Sequence, residues 1–304
     1  MVRKNGRRRG VQRFRCLACG KQFQSKRRDK LTAKIWSDYV FGKQSFRELE
    51  AKYGESIPTL KKRFETIKFN QPVLKPKPVV LGIDTCFYGH EFGVTVFRGL
   101  MSKKNLLWYF SETENLDLVI KGINELINQK LTILMIVCDG KNLHLSSYFP
   151  DIPIQMCQFH QIAIIKRYLT SNPKLLAAQQ LKLIAELIPK TTEAKFTILL
   201  DAWYQKWSDF LSEKTKVSGT KRWFYTHKRT RSAYRSLRTN LPFLFTYQRL
   251  SKQYRLKLPN TNNSLEGSFA HLKDKVRLHR GLKLNRKLKL INQILAGKTS
   301  QNFH

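Results

Sequence analysis

Three acidic residues stand where their neighbours are least suited to hold a charge. Asp84 lies in GIDTCFYG, Asp139 closes the apolar run LTILMIVCDG, and Glu266 sits in NTNNSLEG ahead of a basic stretch. The chain has 21 Asp and Glu against 57 Lys and Arg, so carboxylates are scarce. Two of the three fall on or beside apolar runs, where an ionised carboxylate is costly unless it is paired or bound to a metal. Two strand-end aspartates joined by a helix-borne glutamate make a set of hard oxygen ligands for two Mg2+ (or Mn2+) ions. Such ions activate an attacking oxygen and stabilise a leaving one in phosphodiester chemistry. Taken singly, each residue reads as a strand-end cap or a solvated helix carboxylate; the three together point to a site.

Other residues carry weaker signals. Cys157 and His160, in CQFHQ, have the C-x-x-H spacing of half a zinc site, but no further ligand pair is evident nearby. Cys16 and Cys19 form a lone C-x-x-C near the start, an incomplete structural zinc site. Cys86 and Cys138 read as small buried hydrophobes. No Ser-His-Asp ordering and no Walker-type phosphate loop occurs. Lys273 follows Glu266 by almost two helical turns and so shares its face, placing a cation where a DNA phosphate could meet it. Lys275, Arg277, His279 and Arg280 extend that basic surface, although an ordinary basic helix has the same composition.

The charge balance narrows the partner. Over 304 residues the formal net charge is +36 and the pI is near 10.3. Such a field binds polyanions with strong salt dependence. The basic residues are spread along the whole length instead of being gathered on amphipathic helices, which favours nucleic acid over a membrane surface. Five cysteines without framework spacing argue against a disulfide-stapled secreted domain. The basic first residues lack the apolar core of a signal peptide, and LTILMIVC is too short to span a bilayer. The expectation is a soluble protein of the cytoplasm, associated with the nucleoid.

The elements that must position these residues can be read from periodicity. Residues 1–30 are basic and too poor in large apolar residues to form a core without a metal or partner. Residues 31–70 have helix period: Ile35, Tyr39 and Val40 form one face, and Phe46, Leu49 and Tyr53 another. Ser45 and Glu48 are spaced as a capping box, Gly54 as a stop, and Ser56 with Pro58 as the next start. The last of these helices carries Lys61, Lys62 and Arg63, as a helix-turn-helix presenting a basic recognition helix would. QPVLKPKP (71–78) reads as a stiff linker. Residues 79–304 then give the order β-β-β-α-β-α-β-α, that of an RNase H-like fold. Its rhythm is broken by a helical insertion at about 174–258. The fold class is α/β: an RNase H-like catalytic core with a helical insertion, preceded by a small helix-turn-helix domain and a partial zinc ribbon.

GIDT, VCDG, CQFHQ and NNSLEGSFAHLKDKVRLHRGL together resemble the pattern of bacterial insertion-sequence transposases of the Mutator-like D,D,E superfamily. The likeness covers roughly residues 30–285. It implies that Asp84, Asp139 and Glu266 are the catalytic, metal-binding residues and that Cys157 and His160 are the superfamily's C-x-x-H. It also implies metal-dependent cleavage at the ends of an element and strand transfer into target DNA. The partners would be the inverted repeats and target DNA, and the chain would work as a homo-oligomer in the synaptic complex. A DNA-binding regulator or inactive relic, and a nuclease that cuts without joining, are the competing readings. RRRGVQRFRCLACGKQF resembles the second half of a zinc ribbon, with Lys4-Asn5-Gly6 as its preceding turn. The ribbon's first C-x-x-C would then precede residue 1, through truncation or a misassigned start, unless two chains share one metal.

Overall fold

The computed structural model describes residues 1–8, 11–24, 30–69, 71–72, 74–113, 115–279 and 281–297. Arg280, counted above in the basic surface, lies outside them. Contacts divide the chain into a unit of Met1–Asn70 with Leu272–His304 and a unit of Gln71–His271. The elements, in chain order, are β1 (Val2–Arg8), β2 (Val11–Cys16), β3 (Gln22–Gln24), α1 (Lys30–Val40), α2 (Phe46–Tyr53), α3 (Ile57–Glu65), β4 (Pro78–Tyr88), β5 (Phe92–Gly99), β6 (Lys104–Ser111) and α4 (Leu116–Asn128). They continue as β7 (Thr132–Cys138), α5 (Leu145–Tyr148), β8 (Ile154–Met156), α6 (Gln158–Leu169), α7 (Leu176–Glu186), α8 (Glu193–Ser212), β9 (Lys214–Lys216), β10 (Trp223–Tyr225), α9 (Lys228–Leu244), α10 (Thr246–Tyr254), α11 (Asn263–Leu278) and α12 (Leu284–Ala296).

In the first unit, β1, β2 and β3 form an antiparallel sheet. Lys4-Asn5-Gly6, read above as a turn, is a bulge inside β1: the pairing with β2 shifts between Lys4 and Arg7, and Gly6 takes a positive φ of 67°. The helices that follow obey their sequence signals closely. Ser45 and Glu48 close a reciprocal capping box, and Gly54 stops α2 in the left-handed conformation. Ile35, Trp36, Tyr39, Val40, Leu49, Leu60 and Phe64 form one apolar cluster. Leu290 of α12 is buried in the same cluster, and the indole of Trp36 donates to the Gln293 Oε1 at 3.1 Å. The segment from Leu272 onward, grouped by sequence with the catalytic region, therefore packs with helices more than two hundred residues earlier.

The second unit is built on a mixed sheet of order β6-β5-β4-β7-β8, consistent with an RNase H-like core. β4, β5 and β6 pair antiparallel; β7 and β8 join in parallel through α4 and α5 crossovers. Val79, Leu81 and Ile83 of β4 pack with α4, while Val80 faces Leu250 and Leu258 on the other side. A sheet covered on both faces accounts for runs such as ILMIVC with no polar face. Residues 71–78 are less free than a spacer: Gln71 donates to the Trp108 carbonyl at 2.8 Å, and Leu74 packs against the sheet's core. α6 through α9 enclose a further apolar cluster with Phe196, Leu200, Leu237 and Phe245 at its centre. Within it the chain also makes the β9–β10 ribbon, two strands inside a stretch read as wholly helical.

Gly122 on α4 shows how close the α4–sheet approach is. A Cβ there would lie 2.1 Å from the Phe97 ring, so a side chain must push ring or helix away. Gly122→Ala is expected to destabilise the chain by about 1–3 kcal/mol, as overpacking does. Thermal denaturation of G122A, and partial recovery in G122A with Phe97→Leu, checks this.

Candidate active site

β4 and β7 bring the first two carboxylates together by register alone. Gly82 pairs with Val137 in parallel; two residues further along each strand come Asp84 and Asp139. On the other side of β7, Cys138 pairs with Met156, and the Cys157 N–H donates to the Cys138 carbonyl at 2.8 Å. Asp84, inside β4 just past the end of its pairing with β7, thus stands in a row with Asp139 and Cys157, which follow the ends of β7 and β8, the usual side for a site in a sheet with parallel strands. Asp84 Oδ1 accepts from the Thr85 N–H at 2.9 Å. Asp139 caps the following turn, accepting from the Asn142 side chain at 3.0 Å and its backbone N–H at 3.3 Å.

α11 adds the third carboxylate in its first turn. Glu266 Oε1 lies 3.3 Å from His160 Nε2, an ion-pair distance. The ligand atoms of Cys157, His160 and Glu266 lie within 4.8 Å of one another, the only such group of three among the described residues. Burial pushes the Asp84 carboxyl up to about 6, and the charges of Asp139 and Glu266 push the same way, against the Thr85 N–H and His160. His160 is pushed up to about 9, first by its hydrogen bond with Cys157 and then by the charges of Cys157, Asp84 and Glu266, against the effect of burial. The three acids named from sequence therefore share one electrostatic environment, with imidazolium as countercharge at neutral pH.

Asn262 Nδ2 and Ser264 Oγ are buried here without a hydrogen-bond partner, as donors left for a bound water or ion would be. The oxygen donors of Asp84, Asp139 and Glu266 suit a hard divalent cation such as Mg2+ or Mn2+. Cys157 is fully buried, its Sγ 2.9 Å from the Asn262 Oδ1, and with His160 and Glu266 it offers the mixed sulfur, nitrogen and oxygen donors that zinc takes.

Asn262 and Gln158 are the positioning residues that sequence reasoning passed over. Gln155, Gln158 and Gln161 are all fully buried. Gln158 exchanges backbone and side-chain bonds with Asn260, at 3.1 and 2.7 Å, and donates to the Leu244 carbonyl at 2.8 Å. Gln155 donates to the same carbonyl and accepts from the Tyr247 N–H, both at 2.9 Å. Gln161 accepts from the Asn240 amide at 2.7 Å. Buried amides fix the strand end, the helical insertion and the approach to α11 as one body. The signal was present: Asn262 precedes Glu266 by four residues, one helical turn, and the glutamines recur every third residue.

The other candidate residues divide. Lys62, Lys273 and Arg277 are exposed, and Lys61 lies 5.5 Å from the Phe46 ring. Arg63 is spent internally, its guanidinium gripping Glu55 at 2.5 and 2.6 Å and Thr32 at 2.9 Å. His279, counted with the basic surface, is instead buried against Tyr39 at a ring distance of 4.0 Å, and burial lowers its pKa. Cys16 ends β2 and Cys19 lies in the turn after it. Their neighbouring N–H groups hold the Cys16 thiol below its ordinary pKa. No third metal ligand joins this pair among the described residues.

No family model and no curated protein matches the chain. Among solved structures, the Drosophila P element transposase strand transfer complex aligns over 93% of this chain and 95% of that one, with 13% identity and a TM-score of 0.46. That degree of likeness is too slight to carry family or function across. No helix among the described residues is long and apolar enough to cross a membrane.

Because the folded-state pKa of Asp84 lies above its ordinary 3.8, the folded chain binds that proton more tightly than the unfolded one. Stability is lost as pH rises from about 4 through 6, and stays lost above it. In metal-free buffer Asp84→Asn should raise stability at pH 7 by about 1–3 kcal/mol, with no gain below pH 4. Melting curves in EDTA across that range measure the difference.

Proposed function

We propose that this chain is a D,D,E-type DNA transposase that cuts DNA at the ends of a mobile element and joins the freed strand to target DNA. The observation that supports it most is that Asp84 and Asp139 lie on the adjacent strands β4 and β7, with Glu266 near enough for its charge to act on Asp84. The motif resemblance described above points the same way, as does the excess of positive charge.

In this reading Asp84, Asp139 and Glu266 would hold the divalent cations, Mg2+ or Mn2+. Bound there, such ions supply Lewis-acid activation of an attacking oxygen and stabilisation of a departing one. The chain's own task is to keep three mutually repelling carboxylates in place. Asn142 and Thr85 hold the aspartates by hydrogen bonds. His160 balances their charge until a cation arrives. Gln158 and Asn260 fix the approach to the glutamate's helix. Lys61, Lys62, Lys273 and Arg277 would meet DNA phosphates. The three helices α1 to α3 would recognise the element's ends as a helix-turn-helix, and homo-oligomers would pair two ends in a synaptic complex.

Asp84→Asn, Asp139→Asn and Glu266→Gln should each lower strand cleavage at least about a hundredfold, since a Lewis acid contributes several kcal/mol to the transition state. Binding to the same DNA should change little. Labelled oligonucleotides carrying the DNA that flanks the gene, incubated with Mg2+, give both readouts. Continued cutting by the variants would refute the site; cutting without joined products in the unmutated chain would make it a nuclease.

A further inference from the structure

The β9–β10 ribbon sets large aromatic rings in solvent within a stretch that has no negative charge. From Lys214 to Arg235 there are eight Lys and Arg residues and no Asp or Glu. Trp223 is 48% exposed and Phe224 49%. Trp223 pairs with Lys216, Phe224 with Thr215 and Tyr225 with Lys214. Strand alternation therefore puts Trp223 and Tyr225 on one face of the ribbon and Phe224 on the other. Cations are already stacked on the first face: Lys214 Nζ lies 4.1 Å from the Trp223 ring centre, and the Arg231 guanidinium 3.9 Å from that of Tyr225.

The chemistry of the occupant follows from this pattern. A protein groove that buried Trp223 would leave Phe224 on the far side in water, and would have to desolvate the surrounding cations. A lipid surface would likewise take one face only. Flat rings amid cations suit a polyanion that also offers flat apolar faces, which is a nucleic acid strand with unpaired bases. In an intact duplex those faces are covered by their neighbours, so the rings gain most where the helix has been opened or a step unstacked.

We infer that the β9–β10 ribbon binds unpaired DNA, with Trp223 and Phe224 stacking on bases and Lys216, Lys221 and Arg222 meeting phosphates. The inference rests on the reading of the chain as a DNA-processing enzyme and gives the insertion a task within it, holding the strand that must be separated or bent near a cut.

The test compares fluorescence anisotropy of a labelled single-stranded oligodeoxynucleotide and the same sequence as a blunt duplex, using the full chain in EDTA. Trp223→Ala with Phe224→Ala should weaken single-strand binding about 10- to 100-fold and leave duplex binding within about twofold. Trp223→Tyr with Phe224→Tyr, which keeps both rings, should restore most of it. Lys221→Gln with Arg222→Gln should weaken both forms alike and flatten the salt dependence. Unchanged duplex affinity also certifies that the variants are folded. Equal loss on both DNA forms would overturn the inference. So would unaltered single-strand binding, or a change confined to oligomeric state in light scattering. Cleavage with Mg2+ is scored separately: an inactive chain that keeps the single-strand preference defeats the catalytic reading alone.

Discussion

A carboxylate that loses hydration beside other negative charges is penalised twice, and Asp84, next to Asp139 and Glu266, bears both penalties. The raised pKa of Asp84 is the visible sign. Such an arrangement survives only if its surroundings are too stiff to relax, because a small retreat of any strand end would relieve the strain. The sheet supplies that stiffness by being packed on both faces. Its parallel pairing of β4 with β7 leaves the two aspartates no choice of position.

Glu266 poses the harder problem, since it arrives from a helix almost two hundred residues after Asp84. A hydrophobic contact alone would tolerate sliding of that helix. Three buried glutamines and two asparagines do not, because a buried amide left unpaired costs more than the bond is worth when made. Gln155, Gln158 and Gln161 hold the insertion as well as the segment before α11. The insertion is therefore part of the scaffold that sets the glutamate, beyond whatever it touches outside the protein.

Much of this could be read before any coordinates, and the reasons differ by residue. The capping box at Ser45 and Glu48 is a local bond between near neighbours, so its residue types suffice to predict it. The five sheet strands announce themselves as apolar runs long enough to measure. β9 and β10 are three residues each and rich in lysine, threonine and aromatics, too short for a period to register. Composition cannot separate a cation aimed at solvent from one turned inward; Glu55 and Tyr39, which hold Arg63 and His279, are chosen by the tertiary fold. The partners of Gln155, Gln158 and Gln161 likewise come from distant segments, Leu244, Tyr247, Asn260, Ser236 and Asn240, and leave no local sign.

The bond between Trp36 and Gln293 gives the helical unit a schedule as well as a structure. A ribosome completes α1 to α3 early, yet Leu290 and Gln293 must be translated before their core can close. At 5–20 residues per second the interval is roughly 10–50 s, ample for the sheet unit to form first. During that wait Trp36, Tyr39 and Phe64 lack their last covering helix. Until then the nascent chain carries these rings as exposed apolar surface.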